Sequence, residues 1–185
     1  MRETSEMLNK WFKHHQDNSF WRTSKPTSKN VVDNSVAISL IKKWEGCKLR
    51  SYLDGDGVWT IGYGWAETNG MEPRPKAGMV ITKQGAEELL DRYLTILSKD
   101  IDKLFTRQPT PNQRGAMMSL AYNIGTHGFA TSTCLRRFNK GDIAGAAEAL
   151  TWFKMDGGRV IQGLVNRRAD EKRVFLLVST GANDV

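Results

Sequence analysis

Apolar positions recur at Val36, Leu40, Ile41 and Trp44, an i, i+4, i+5, i+8 stripe that predicts an amphipathic helix over about residues 35–45. Asn34 or Ser35 can cap its start and Gly46 stops it, which leaves Glu45 in the last turn. The next stretch, SYLDGDGVWTIGY, changes from helical spacing to short β-prone runs around glycines and predicts a β-hairpin. Its loop length decides which side chains share a face. With a three-residue turn, Gly55-Asp56-Gly57, Gly57 takes the left-handed bulge position, Asp54 pairs with Val58 and Tyr52 with Thr60. Tyr52, Asp54, Val58 and Thr60 then lie on one face, with Trp59, Ile61 and Tyr63 on the other. A two-residue turn would separate Asp54 from Thr60; the glycine at 57 favours the longer one.

Beyond a proline-containing connection, MEPRPKAG, a long helix is expected from a Thr82 cap, with Leu89, Leu90, Tyr93, Leu94, Leu97, Ile101 and Leu104 on its apolar face. Pro109 and Pro111 break the chain. Ala116, Met117, Leu120 and Ile124 mark another helix, and shorter ones are expected around Thr133–Asn139, Asp142–Trp152 and Gly163–Val178. One small strand region followed by many helices makes the fold class α+β, with a β-hairpin lobe joined by the long helix to a larger helical lobe. Residues 1–34 read as an extension and linker, and residues 35–185 as one domain. Within the extension, Met7, Leu8, Trp11 and Phe12 form a short amphipathic stripe, ahead of the turn-rich RTSKPTSKNVVDNS.

Composition narrows the partners. The formal charge is +7 and the pI about 9.5, so a polyanionic partner is expected: nucleic acid, an anionic membrane surface or an acidic wall polymer. The charge is spread along the chain without a dense basic arm, and no groove-reading motif is present, so nucleic acid is the least favoured. The basic, amphipathic termini leave a membrane surface open as a second partner. The chain is expected to be a monomer. Cys47 and Cys134 are too few and too distant for a disulfide scaffold or a zinc knuckle, and free thiols are expected. The three histidines, His14, His15 and His127, offer no metal-site spacing. DGDG lacks the later ligands of a calcium loop, since its sixth position is Trp59 and its twelfth Trp65. Neither a metal nor a cofactor is expected. The N-terminus has no signal-peptide core, and no run of about 18 apolar residues predicts a membrane span.

What remains is a pair of carboxylates with a hydroxyl nearby. Glycosidic cleavage needs an acid for the leaving oxygen and a second carboxylate to hold charge, attack or activate water. Glu45 beside Trp44, under apolar cover and at a helix C-terminus, would have surroundings that favour its protonated form. Asp54 at an open glycine turn would stay ionised. Spacing alone is weak evidence, because glutamates end many helices and Asp-Gly makes many turns.

The whole string EGCKLRSYLDGDGVWTIGYG, however, resembles the catalytic signature of the phage-type lysozymes, the muramidase endolysins of glycoside hydrolase family 24. Further segments are similar in order: Gly78…Ile81-Thr82…Ala86…Leu89-Leu90, then Asn112-Gln113…Ala116…Ser119 to Gly125, then Ser132-Thr133…Leu135…Phe138-Asn139…Gly141-Asp142, then Gly157-Gly158…Gly163-Leu164…Arg167-Arg168…Glu171. The resemblance covers about residues 35–180 and implies a lysozyme-like fold. It implies hydrolysis of the β-1,4 bond between N-acetylmuramic acid and N-acetylglucosamine in peptidoglycan. Glu45 would be the general acid, with Asp54 and Thr60 positioning water or Asp54 attacking directly.

It also implies synthesis in a bacterial host's cytoplasm and action on the wall after a holin-type protein opens the membrane. Two alternatives are a lytic transglycosylase, for which Asp54 and Thr60 have no evident use, and an inactive wall- or membrane-binding protein. The family usually has histidine after GYG, where this chain has Trp65. For substrate contacts, chain order suggests Tyr63 and Gly64. Gln113 and Asn123 could bind N-acetyl groups, though buried structural hydrogen bonding fits them as well, and Trp152 could stack on a sugar or sit in the core. Arg167 and Arg168 could bind an anionic wall or complement helix partners.

Overall fold

A computed structural model describes residues 33–177, and the expected extension and linker lie outside the described residues except for Asp33 and Asn34. The first helix, α1 (Ser35–Glu45), buries Ala37, Leu40 and Ile41. Its cap differs from expectation. Asn34 makes no side-chain cap; its amide oxygen accepts from Arg114 Nη1 at 2.9 Å, while Asp33 Oδ1 accepts from Ser35 N–H at 2.8 Å.

The hairpin follows as β1 (Lys48–Leu53) and β2 (Trp59–Gly62), and β3 (Trp65–Ala66) completes an antiparallel sheet in the order β1-β2-β3. Tyr52 pairs with Thr60 and Leu53 with Trp59. The Asp54 N–H donates to Val58 O at 3.0 Å and the Gly57 N–H to Asp54 O at 3.1 Å, closing the three-residue turn. Gly57 has φ +77, the left-handed value that only a residue without Cβ takes easily. Residues 79–81 add backbone bonds on the other edge of β1.

The long helix α2 (Lys83–Asp102) starts at Thr82, whose hydroxyl accepts from Gly85 N–H. Pro111 begins the next helix rather than breaking it: α3 (Pro111–Ala130) carries Pro at its first position, where the missing N–H has no partner to lose. Residues Arg114 to Ala121 of α3 are all buried, as befits a helix running through the middle of the body. Its helical geometry is interrupted at Gly125. Arg114 clamps three elements, since its Nε and Nη2 grip both oxygens of Asp102 at 2.8 and 2.9 Å while Nη1 holds Asn34.

Then come α4 (Thr133–Asn139), α5 (Ile143–Leu150), a hairpin of two-residue strands β4 (Met155–Asp156) and β5 (Arg159–Val160), and α6 (Gln162–Phe175). The core runs through all the helices and reaches Ile61 and Trp65 of the sheet. Cys47 and Cys134 are free thiols. No described helix is long and apolar enough to cross a membrane.

Candidate active site

Two carboxylates, Glu45 at the end of α1 and Asp54 in the β1–β2 turn, flank the strand that carries Tyr52. Glu45 ends α1 and is held by α6: Arg167 Nη1 donates to its Oε1 at 2.6 Å. Its side chain is 22% exposed and Arg167 only 4%. The expected apolar cover is therefore wrong. Trp44 turns away, donating Nε1–H to Asp170 at 3.2 Å under the Lys43 ammonium, and the acid's surroundings are ionic instead. The other oxygen, Oε2, faces Gly64: a Cβ built there would lie 3.7 Å from it and 3.7 Å from the Tyr122 hydroxyl. That hydroxyl donates to Tyr63 O at 2.8 Å and so fixes the backbone beside the acid.

Asp54 is held by its own turn. Its Oδ1 accepts the N–H groups of Val58 at 2.9 Å and Asp56 at 3.0 Å, and its Oδ2 lies 3.3 Å from Thr60 Oγ1. The Val58 N–H first, then the Asp56 N–H and the Thr60 hydroxyl, lower the Asp54 pKa from its ordinary value. Thr60 is buried, and its oxygen also lies 3.2 Å from Val58 O. Tyr52, half exposed on β1, senses both carboxylates: burial, then Glu45, then Asp54 raise its phenol's pKa. The charge environment of Tyr52 thus joins Glu45 to the turn, and its pairing with Thr60 in the register was the available sequence signal.

The remaining candidates separate. Gly64 sits beside Glu45. Tyr63 does not line the cleft; its side chain is 6% exposed and belongs to the core, with Lys42 5.7 Å from its ring centre. Chain order misled because the main chain at 63 meets the site while the ring points inward. Gln113 belongs to a capping box, with its Oε1 accepting from Thr110 N–H at 3.0 Å and its own N–H reaching Thr110 Oγ1. It stands nine residues from Tyr122 along α3, roughly 13 Å. Asn123 is exposed and accepts from Arg168 Nη2 at 3.1 Å. It also lines a groove of about 450 Å³ with Ile124, Phe153, Met155, Asp156 and Leu164. Trp152 is not core: it is 50% exposed, with the Arg137 guanidinium 5.4 Å from its ring.

Trp65, where the family usually has histidine, is buried. Its Nε1–H donates to Pro73 O at 2.8 Å and its ring meets Tyr93 edge-on, which in turn meets Tyr122 edge-on. The substitution therefore supports the tyrosine that fixes the backbone by Glu45. Sequence reading missed the depth of the ion network behind the acid. Arg167 also bonds Glu171 through Nε at 3.1 Å and Ser119 O through Nη2 at 3.2 Å. Arg168 Nε stands 3.0 Å from Glu171 Oε2.

A three-stranded sheet and a helical body joined by a long helix make a lysozyme-like fold. Residues 42–171 match the family described as phage lysozyme. The endolysin of Salmonella phage P22 is 37% identical over 145 residues, covering 77% of this chain and 97% of its own length. The endolysin of Bacillus phage PZA is 36% identical over 144 residues, 77% of this chain but 54% of its own, so the chain spans about half of that relative. Among solved structures, the muramidase domain of SpmX from Asticaccaulis excentricus superposes with a TM-score of 0.70 at 32% identity, covering 78% of this chain and 97% of that one. The chain belongs to the phage lysozyme family and is accordingly an enzyme of the peptidoglycan hydrolase class.

Proposed function

We propose that the chain cleaves the β-1,4 bond between N-acetylmuramic acid and N-acetylglucosamine, with Glu45 as general acid and Asp54 and Thr60 holding the attacking water. The observation that carries this is the Asp54–Thr60 pair. The Thr60 hydroxyl has one proton and two long acceptor contacts, 3.2 Å to Val58 O and 3.3 Å to Asp54 Oδ2. A hydroxyl that donates to Asp54 Oδ2 keeps its lone pairs free, and a water that donates to Thr60 Oγ1 and to the carboxylate would be held between the two. Asp54, ionised and fixed by backbone N–H groups, is suited to orient and deprotonate such a water. The reading in which Asp54 attacks directly needs the same carboxylate without Thr60. On the acid side, Arg167 occupies Oε1 and leaves Oε2 for the leaving oxygen. The relatives' description as endolysins and as a muramidase domain supports the same chemistry. Synthesis in a host cytoplasm and holin-type release belong to this proposal too, as does a monomeric catalytic domain beginning near residue 35.

The test is mass spectrometry of soluble fragments from purified peptidoglycan, comparing the wild-type chain with Glu45→Gln. Reducing muramic acid ends that vanish in a folded Glu45→Gln variant are expected. Anhydro-muramic ends would instead make the chain a lytic transglycosylase. An active Glu45→Gln variant would remove Glu45 from the chemistry.

A further inference from the structure

We propose that Glu171 is a positioning residue for the reaction: it anchors and electrically compensates the Arg167 guanidinium that holds Glu45 Oε1. The inference rests on the reading of Glu45 as the acid. Glu171 is fully buried, 52 residues from Ser119 and far from Glu45 in sequence, yet only one guanidinium separates the two carboxylates. Its Oε1 accepts from Ser119 Oγ at 2.7 Å, Arg167 Nε at 3.1 Å and Arg168 Nη2 at 3.2 Å. Arg167 is thereby held by three different elements: Glu171 on its own helix, Ser119 on α3 and Glu45 on α1. A planar guanidinium with three fixed bonds has no freedom left to swing, so the Glu45 carboxyl is presented with one oxygen bound and the other facing Gly64.

The cluster is poorly suited to stability alone. Arg168 is buried with Nη1 lacking a hydrogen bond and with Nε meeting Glu171 Oε2 at 3.0 Å as an ion contact without hydrogen-bond alignment, and well-packed apolar residues are at least as stable as such an ion cluster. Its charges make sense as compensation. Facing Glu45 are Tyr52 from β1, Tyr122 from α3, and Arg167 and Arg168 from α6. Facing Glu171 are Ser119 from α3, Cys134 from α4 and the same two arginines. Two guanidiniums without Glu171 would confront the acid with one further uncompensated positive charge, which favours a carboxylate over a carboxyl. Burial pushes the Glu171 carboxyl up and brings the Arg168 guanidinium down to about 10, each opposed by the other's charge. The two guanidiniums against its oxygens favour the carboxylate form of Glu171 over the carboxyl.

The experiment records pH profiles of kcat/KM on purified peptidoglycan for the full chain, Glu171→Gln and Arg168→Met, with near-ultraviolet circular dichroism to establish folding. Glu171→Gln is expected to move the alkaline limb down by about one pH unit and to lower kcat roughly tenfold with little change in KM. Arg168→Met removes a positive charge together with its orphaned donors, and is expected to move the limb upward by a similar amount. A merely structural role would lower the melting temperature of both variants without opposite shifts. Folded variants whose limbs coincide with wild type, or move the same way, overturn the proposal. If Glu171→Gln does not fold, the upward shift in Arg168→Met decides alone. A dead Glu45→Gln variant alongside static limbs would sink the role of Glu171 and leave the acid assignment standing. An active Glu45→Gln variant would sink the acid assignment itself.

Discussion

At Asp54 a five-residue stretch of backbone does what burial and ion pairs do for carboxylates elsewhere. Two turn N–H groups and one hydroxyl stabilise the charged form, so this carboxyl is expected to titrate below its ordinary 3.8 in a carbon-13 NMR pH titration. The sign for stability follows. A carboxyl that binds its proton less tightly folded than unfolded stabilises the native chain above its ordinary pKa, and that contribution fades as the pH falls through the lower folded value. Thr60→Ala removes one of the three hydrogen bonds and is expected to raise the titration midpoint; a midpoint unmoved would mean that the 3.3 Å contact carries no bond. Asp54→Asn is expected to reduce fragment release on the order of a hundredfold while the turn persists, because an amide oxygen can still accept from Val58 N–H. Wild-type release from that variant would exclude Asp54 from the reaction.

Elements bring these residues within reach, and α1 is the critical one because it ends in Glu45. It crosses α3 at Gly115, where an added Cβ would overlap the Val36 side chain and lie 3.1 Å from Ala37 N. Gly115→Ala is expected to destabilise by about 1–3 kcal/mol through overpacking and to lower activity further by displacing the acid. Gly163→Ala, with open space around its Cβ at the start of α6, is the control; it is expected to be neutral or stabilising by roughly 0.5–1 kcal/mol in the same thermal melts. Equal losses in both would mean that helix propensity rather than contact sets the cost.

These elements were largely legible beforehand, since α1 and α2 follow 3.6-residue apolar spacing, the later helices are marked by their caps and breaks, and Gly57 gave away the register that joins Asp54 to Thr60. What could not be read was tertiary. Arg167 meets Glu45 across 122 residues, a partnership that no local pattern encodes. The β4–β5 hairpin is two residues per strand and fully exposed, too short to show an alternation. Tyr63 and Gln113 carried the right chemistry for a sugar cleft, but packing turned one inward and helix capping occupied the other.

For the molecule as a whole, the net charge of +7 is a long-range property, distinct from the local pairing of Glu45 with Arg167. Catalysis and attraction are therefore separable. A basic protein approaching an anionic wall gains encounter rate and residence from the summed field, and salt removes that gain once the screening length falls below the spacing of the surface charges. Screening shortens from about 10 Å at 0.1 M salt to about 3 Å at 1 M. The Glu45–Arg167 pair, with its guanidinium buried and its carboxyl 22% exposed, is screened less than the fully exposed surface charges. Raising salt from about 0.05 M to about 0.5 M is thus expected to raise KM on whole sacculi several-fold and to leave kcat nearly unchanged. Rates on a short uncharged chitooligosaccharide should hardly respond. If kcat falls with salt while KM holds, the surface charge is idle in wall binding, and ions are acting on the catalytic network instead.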